Sequence, residues 1–199
     1  MSDPAAPGDA PADLPAVRRP RARELRHLAA IEDSGIDLYL EALGEDRVGT
    51  ALRSTAPSGQ QRADAPGFLL VIGEPAVGFV HVLHLDGSAH LEQVSVRPEQ
   101  MRRGLGSALV RAAAAEARAE GYPQLSLCTY RDLAWNAPFY ERLGFRVVGD
   151  LVPYQQRLRE HEVSLGLDES GERVVMALDL TPQVTDELDY DARHDEPRS

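Results

Sequence analysis

His90-Leu-Glu-Gln-Val-Ser-Val-Arg-Pro-Glu-Gln-Met-Arg-Arg-Gly-Leu-Gly-Ser-Ala-Leu-Val110 is the stretch that decides the fold. An extended run ends at Pro98, which cannot donate to a strand ladder, and two glycines then open an alanine-rich helix. The first turn of a helix presents unpaired N–H groups and the positive end of its dipole, so it attracts phosphate. Gly104 and Gly106 let an anion approach the backbone with no Cβ in the way, and Arg102 and Arg103 add charge beside it. Gly-x-Gly alone is a weak signal, and a glycine-tolerant helix start is the plainer reading of that pair by itself. A dinucleotide fold would place a third glycine where Leu109 stands, and a nucleotide P-loop would end in Gly-Lys-Ser/Thr, which is absent.

Upstream, residues 68–72 and 76–85 read as a hairpin about Gly73-Glu74-Pro75, and Asp86-Gly87 turns the chain into a strand over residues 89–96. Residues 16–19 predict a short first strand stopped by Pro20. Residues 21–32 predict a helix with Leu25, Leu28 and Ile31 on one face, residues 36–43 a second helix, and residues 51–66 a loop. Downstream, residues 104–120 give the clearest helix, and residues 125–129 a strand buried on both faces. A short helix over residues 133–143, closed by Gly144, leads to a strand over 145–148. A charged helix over 154–166 precedes a last strand over 173–180. The order specifies an α/β domain over residues 16–181 whose sheet is mostly antiparallel in its first half. Residues 1–15, built of Pro, Ala, Asp and Gly, and the acidic residues 182–199 are expected to be disordered ends.

The chain has 199 residues and a formal net charge of −11. The first 15 residues carry −3 and the last 18 carry −4, leaving −4 for the middle. That balance argues against nucleic acid, whose phosphates call for a basic face, and suits a cationic partner. Cys128 is the only cysteine, so no internal disulfide is possible and a reducing compartment is expected. In the apolar run of residues 125–128 it reads as a small core residue rather than a nucleophile. No apolar stretch is long enough to span a bilayer and no signal-peptide core is seen, so a cytoplasmic location is expected.

Two signatures together resemble the GNAT acetyltransferase superfamily. Val96-Arg97-Pro98 and Met101-Arg102-Arg103-Gly104-Leu105-Gly106 fill the family's Arg/Gln-x-x-Gly-x-Gly/Ala loop after a Val-x-Pro strand end, with Met101 departing from the usual Arg or Gln. Asn136-Ala137-Pro138-Phe139-Tyr140, followed by Leu143-Gly144-Phe145, matches the second. The resemblance implies a GNAT-type fold with a splayed central strand pair flanked by helices, acetyl-CoA as the acyl donor and no metal. It implies that the backbone of Val94, Ser95 and Val96, beside a bulge, binds the pantetheine arm. It further implies that Met101, Arg102, Arg103, Gly104, Leu105, Gly106 and Ser107 hold the pyrophosphate, and that Asn136 contacts the cofactor arm.

The same resemblance makes Tyr140 the acid that protonates the departing thiolate. A phenol of reference pKa about 10 is protonated at neutral pH and can give its proton to a thiolate of about 8.5. Tyr140 would serve equally as an aromatic packing its helix on the sheet. An amine acceptor arrives protonated and needs a base, for which the resemblance makes Glu92 the candidate, directly or through a water; a partly exposed strand carboxylate is the plainer reading of that residue. Strict alternation puts His90, Glu92, Val94 and Val96 on one face of their strand and Leu91, Gln93 and Ser95 on the other, unless a bulge shifts it. His81 and His90, with His84, are alternates or pocket residues; Tyr39, Tyr130, Arg131, Asp132 and Trp135 are candidates to shape the acceptor pocket. Asp132 reads slightly better as a helix cap. The expected activity is N-acetylation of a small-molecule or peptide primary amine by direct attack in a ternary complex, by a monomer or homodimer. A non-catalytic acyl-CoA-binding domain is the alternative, and the presence of Glu92, Asn136 and Tyr140 together argues against it.

Overall fold

The computed structural model describes residues 14–181. The expectations for residues 1–13 and 182–199 lie outside that range. Among the described residues seven strands form one sheet: β1 (Val17–Arg18), β2 (Gly67–Ile72), β3 (Gly78–Leu85), β4 (Ser88–Val96), β5 (Gln124–Tyr130), β6 (Arg146–Val147) and β7 (Arg173–Asp179), in the order β1-β2-β3-β4-β5-β7-β6. Every neighbouring pair is antiparallel except β4 with β5. That parallel pair needs a crossover, and the alanine-rich helix supplies it.

Among the described residues, seven α-helices flank the sheet: α1 (Ala22–Leu25), α2 (Leu28–Asp33), α3 (Ile36–Leu43), α4 (Gly59–Asp64), α5 (Leu105–Ala119), α6 (Ala137–Glu141) and α7 (Pro153–Ser164). On one face, Leu105, Leu109, Val110, Ala113 and Ala117 of α5 join Phe68, Leu70, Val80, Val82, Leu91 and Leu127 in the main core. Burying each of the larger side chains contributes roughly 1.5–3 kcal/mol. On the other face, Leu28 and Ile31 of α2 pack on Leu69, Val71 and Phe79 in a second cluster. Among the described residues, no helix is long and apolar enough to cross a membrane.

Three elements differ from the sequence expectation. The helix expected over residues 21–32 is divided, because His27 N–H bonds back three residues to Glu24 O before α2 begins. The helix expected over residues 133–143 begins only at Ala137. Pro138 lacks an N–H and fits the first turn but not the interior, so Asp132 caps nothing. The loop expected over residues 51–66 contains α4. Its start is a capping box: Ser58 Oγ accepts from Gln61 N–H, and Gln61 Oε1 accepts from Ser58 N–H. Gly59 lets α4 press on α1, since a Cβ there would lie 2.2 Å from Leu25 O.

Candidate active site

β4 and β5 pair at three positions only: Ala89 with Leu125, His90 with Ser126 and Leu91 with Leu127. Past Leu91, β4 stays bonded to β3 as far as Val96, while past Leu127, β5 stays bonded to β7 as far as Tyr130. A wedge therefore opens in mid-sheet, edged by residues 92–96 and 128–130. Backbone polar groups along such an edge require partners, and an extended chain carrying amides is the shape that supplies them.

The register slips at the base of the wedge. His81 pairs with Gln93 and Val82 with Leu91, leaving Glu92 as an inserted residue. This bulge resets the alternation. Leu91, Val94 and Val96 pack toward α5, whereas Gln93 Nε2 donates to Ser95 Oγ at 2.8 Å on the opposite face. The strict alternation expected from sequence is thereby corrected, and Glu92 does not share a face with Val94 and Val96.

At the open end of the wedge lies the glycine loop. Arg102 has φ +59° and Gly104 φ +82°, both left-handed, so the loop curls just ahead of α5. No side chain caps that helix start. Met101 N–H donates to Pro98 O, and Ala108 N–H to Gly104 O as α5 begins. A side chain added at Gly104 would meet only Leu14, and one at Gly106 only the Phe139 ring, each at 3.6 Å. Arg102 and Arg103 are exposed beside the loop.

Across the wedge, Thr129 Oγ1 donates to Asn136 Oδ1 at 2.7 Å. Asn136 Nδ2 is buried and has no partner. An orphaned donor costs about 1–3 kcal/mol, and an acceptor on a ligand would remove that cost. One helical turn on, Tyr140 is 7% exposed, set edge-on to Phe139 and Phe145. Burial, reinforced by Tyr39 and opposed by Arg173, raises its phenol above the ordinary value, so it stays protonated.

On the α2 and α4 side, three ionisable side chains gather round one guanidinium. Arg62 is 3% exposed, and its two terminal nitrogens donate to different carboxylates, Nη1 to Glu92 and Nη2 to Glu32. Its guanidinium also lies 5.3 Å from the Phe79 ring centroid. His81 Nδ1 is 3.0 Å from Glu92 Oε2; because a carboxylate only accepts, the imidazole is the donor. His81 Nε2 and Arg62 Nε are buried without partners. Burial pushes Glu92 up, but the His81 hydrogen bond and the Arg62 and His81 charges outweigh it and hold its pKa below the usual carboxylate value. Burial also drives Glu32, and there it prevails over Arg62, aided by Glu92 and Asp33, so that its carboxyl is raised to about 7.

Glu92 and His81 therefore sit together. His90 turns elsewhere: its Nδ1 lies 2.8 Å from Ser126 Oγ, which also accepts from the Tyr154 hydroxyl. Burial lowers His90 to about 4, keeping it neutral. His84 turns its Nε2 to within 2.9 Å of a Glu120 carboxylate oxygen, away from the wedge. Tyr130 is 2% exposed and gives its hydroxyl to Leu167 O, while Arg173 covers its ring. Trp135 meets Tyr39 edge to face at 5.9 Å, and its buried Nε1 lacks a partner. Burial, with Glu162 close by, pushes the Cys128 thiol up to about 12. Sequence reasoning missed Arg62 and Glu32. The Ser58–Gln61 capping box was a readable sign of the helix that carries Arg62; Glu32 had none.

The sheet divergence, glycine loop and bulged strand define an acyl-CoA N-acyltransferase architecture. The chain matches the Acetyltransferase (GNAT) family over residues 36–145, more than half its length, and belongs to that family. Family membership supports acetyl transfer from an acyl-CoA. Solved structures share the fold. A GCN5-related N-acetyltransferase from Rhodopseudomonas palustris is 21% identical, with 86% of this chain and 99% of that one covered at a TM-score of 0.61. The PaiA N-acetyltransferase of Thermoplasma acidophilum, solved with coenzyme A, is 16% identical, with 82% and 98% covered at 0.59. An aminoglycoside 6'-N-acetyltransferase, also with coenzyme A, is 16% identical, with 84% and 98% covered at 0.51.

Proposed function

We propose that the protein transfers the acetyl group of acetyl-CoA to a primary amine by direct attack in a ternary complex. The observation that carries this reading is the wedge after Leu91 and Leu127, with bulged Glu92 on one side and the unpartnered Asn136 amide on the other. Coenzyme A in two structural relatives supports the donor. The backbone of Val94, Ser95 and Val96 would bind the pantetheine amides, and Asn136 Nδ2 an acceptor on the same arm. The loop from Arg102 through Ser107 would seat the pyrophosphate on N–H groups and the helix dipole.

Tyr140 then gives its proton to the departing thiolate. Its raised pKa keeps that proton in place until the sulfur charge develops. Glu32 and Glu92 share one arginine, so with both carboxylates ionised these three side chains carry −1 and attract a cationic amine.

The test is amine-dependent release of free thiol from acetyl-CoA across linear diamines, aminoglycosides, lysine peptides and peptide N-termini. Wild type is expected to turn over at least one class. Tyr140→Phe is expected to lower kcat about 100-fold with acetyl-CoA affinity unchanged. Binding of acetyl-CoA with no amine-dependent release would make the chain an acyl-CoA-binding domain instead.

A further inference from the structure

Arg62 is shared unequally. Glu92 accepts from two partners, Arg62 and the His81 imidazole. Glu32 has only the other arm of Arg62, with the Glu92 and Asp33 charges close by. The side chains of Glu32 and Glu92 keep 22% and 34% of their surface, so both remain open to an approaching amine, whereas Arg62 at 2% does not. Glu32 lies on α2, which packs over β3 and β4. Of the two carboxylates at the cluster, Glu32 is the under-compensated one, and an under-compensated carboxylate is the better proton acceptor.

We propose that Glu32, rather than Glu92, takes the proton from the incoming ammonium, while Arg62 and His81 act as positioning residues that keep Glu92 ionised to draw the ammonium in. This rests on the acetyl-transfer reading above. The ammonium N–H bond breaks and a Glu32 O–H bond forms. The freed lone pair attacks the thioester carbon, the C–N bond forms, and the C–S bond breaks with its electron pair on sulfur. The thiolate takes the Tyr140 proton, which solvent restores. The second N–H proton lost as the amide forms passes to solvent, as finally does the one on Glu32, so one proton is released per turnover. A Glu32 pKa of about 7 fits this duty: below it the group is protonated and idle, above it the group is ionised and active. The groups facing Glu32 are Arg62 from α4, Glu92 from β4 with His81 of β3 behind it, and Asp33 from its own helix.

The experiment is the pH profile of kcat/KM with the amine that turns over fastest in the panel above. Wild type is expected to rise through a single limb near pH 7. Glu32→Gln should lose that limb and fall about 100-fold, with acetyl-CoA affinity and cooperative melting retained. Glu32→Asp should keep the limb at a lower rate. Glu92→Gln removes a charge that holds Glu32 up, so its limb should persist and move to lower pH. A limb that survives in Glu32→Gln, or a limb that disappears in Glu92→Gln, overturns the assignment while leaving acetyl transfer standing. A wild type that binds acetyl-CoA but turns over no amine overturns both.

Discussion

On the α5 and α6 face, the groups that would hold the donor come from two short stretches of chain and act largely through the backbone: the edge of Val94–Val96, the loop ahead of α5 and the amide of Asn136. On the α2 and α4 face, Glu32, Arg62, His81 and Glu92 arrive from four elements and act through side-chain charge. The difference follows from what each face is proposed to bind. A phosphorylated, amide-bearing arm is well matched by N–H groups and a helix dipole, which demand glycines and one bulge. A cationic acceptor is matched by a negative site, whose buried arginine keeps two carboxylates from repelling each other.

That contrast can be broken from either side. Arg62→Met leaves Glu32 and Glu92 without their common cation and should lower stability by about 3 kcal/mol at neutral pH, read by denaturant melts. The loss should shrink as pH falls, because protonating the carboxylates removes the repulsion. A variant as stable as wild type at neutral pH would mean the cluster is solvated. On the other face, Asn136→Ala should weaken acetyl-CoA binding about tenfold, the worth of one hydrogen bond, and leave Arg62-dependent stability untouched. The smallest effect belongs to neither face. Arg157 and Asp86 form an exposed ion pair, and Arg157→Ala should change stability by less than about 0.5 kcal/mol and leave binding unchanged.

The α5 and α6 face, proposed to hold the donor, was the more legible in its local structure. Its signatures are contiguous, and each residue type has a local reason: Pro98 to stop a strand, Gly104 to turn left-handed, Gly144 to close a helix. The strand order of the hairpins was equally readable from the turns at Gly73 and Asp86-Gly87. The acceptor face was not, because its four members lie up to 60 residues apart and nothing in the neighbourhood of Glu32 marks it. Glu92 was found through the strand it occupies, but its orientation depends on a bulge that alternation alone cannot reveal. Arg62 was hidden by reading residues 51–66 as a loop, a stretch broken by Pro57 and Gly59 in which the Ser58–Gln61 box was the one helical cue.

The most direct test of the account is a calorimetric titration of the full chain with acetyl-CoA, wild type against Gly104→Asp. Aspartate tolerates the left-handed backbone at this position at a cost of about 1 kcal/mol, so the fold should survive and melt cooperatively. The added carboxylate would stand where the pyrophosphate is proposed to sit. The account predicts micromolar binding by wild type and a loss of at least about 100-fold in the variant. Equal binding by both proteins, or none by a well-folded wild type, would contradict it and make the glycine loop a helix start and nothing more.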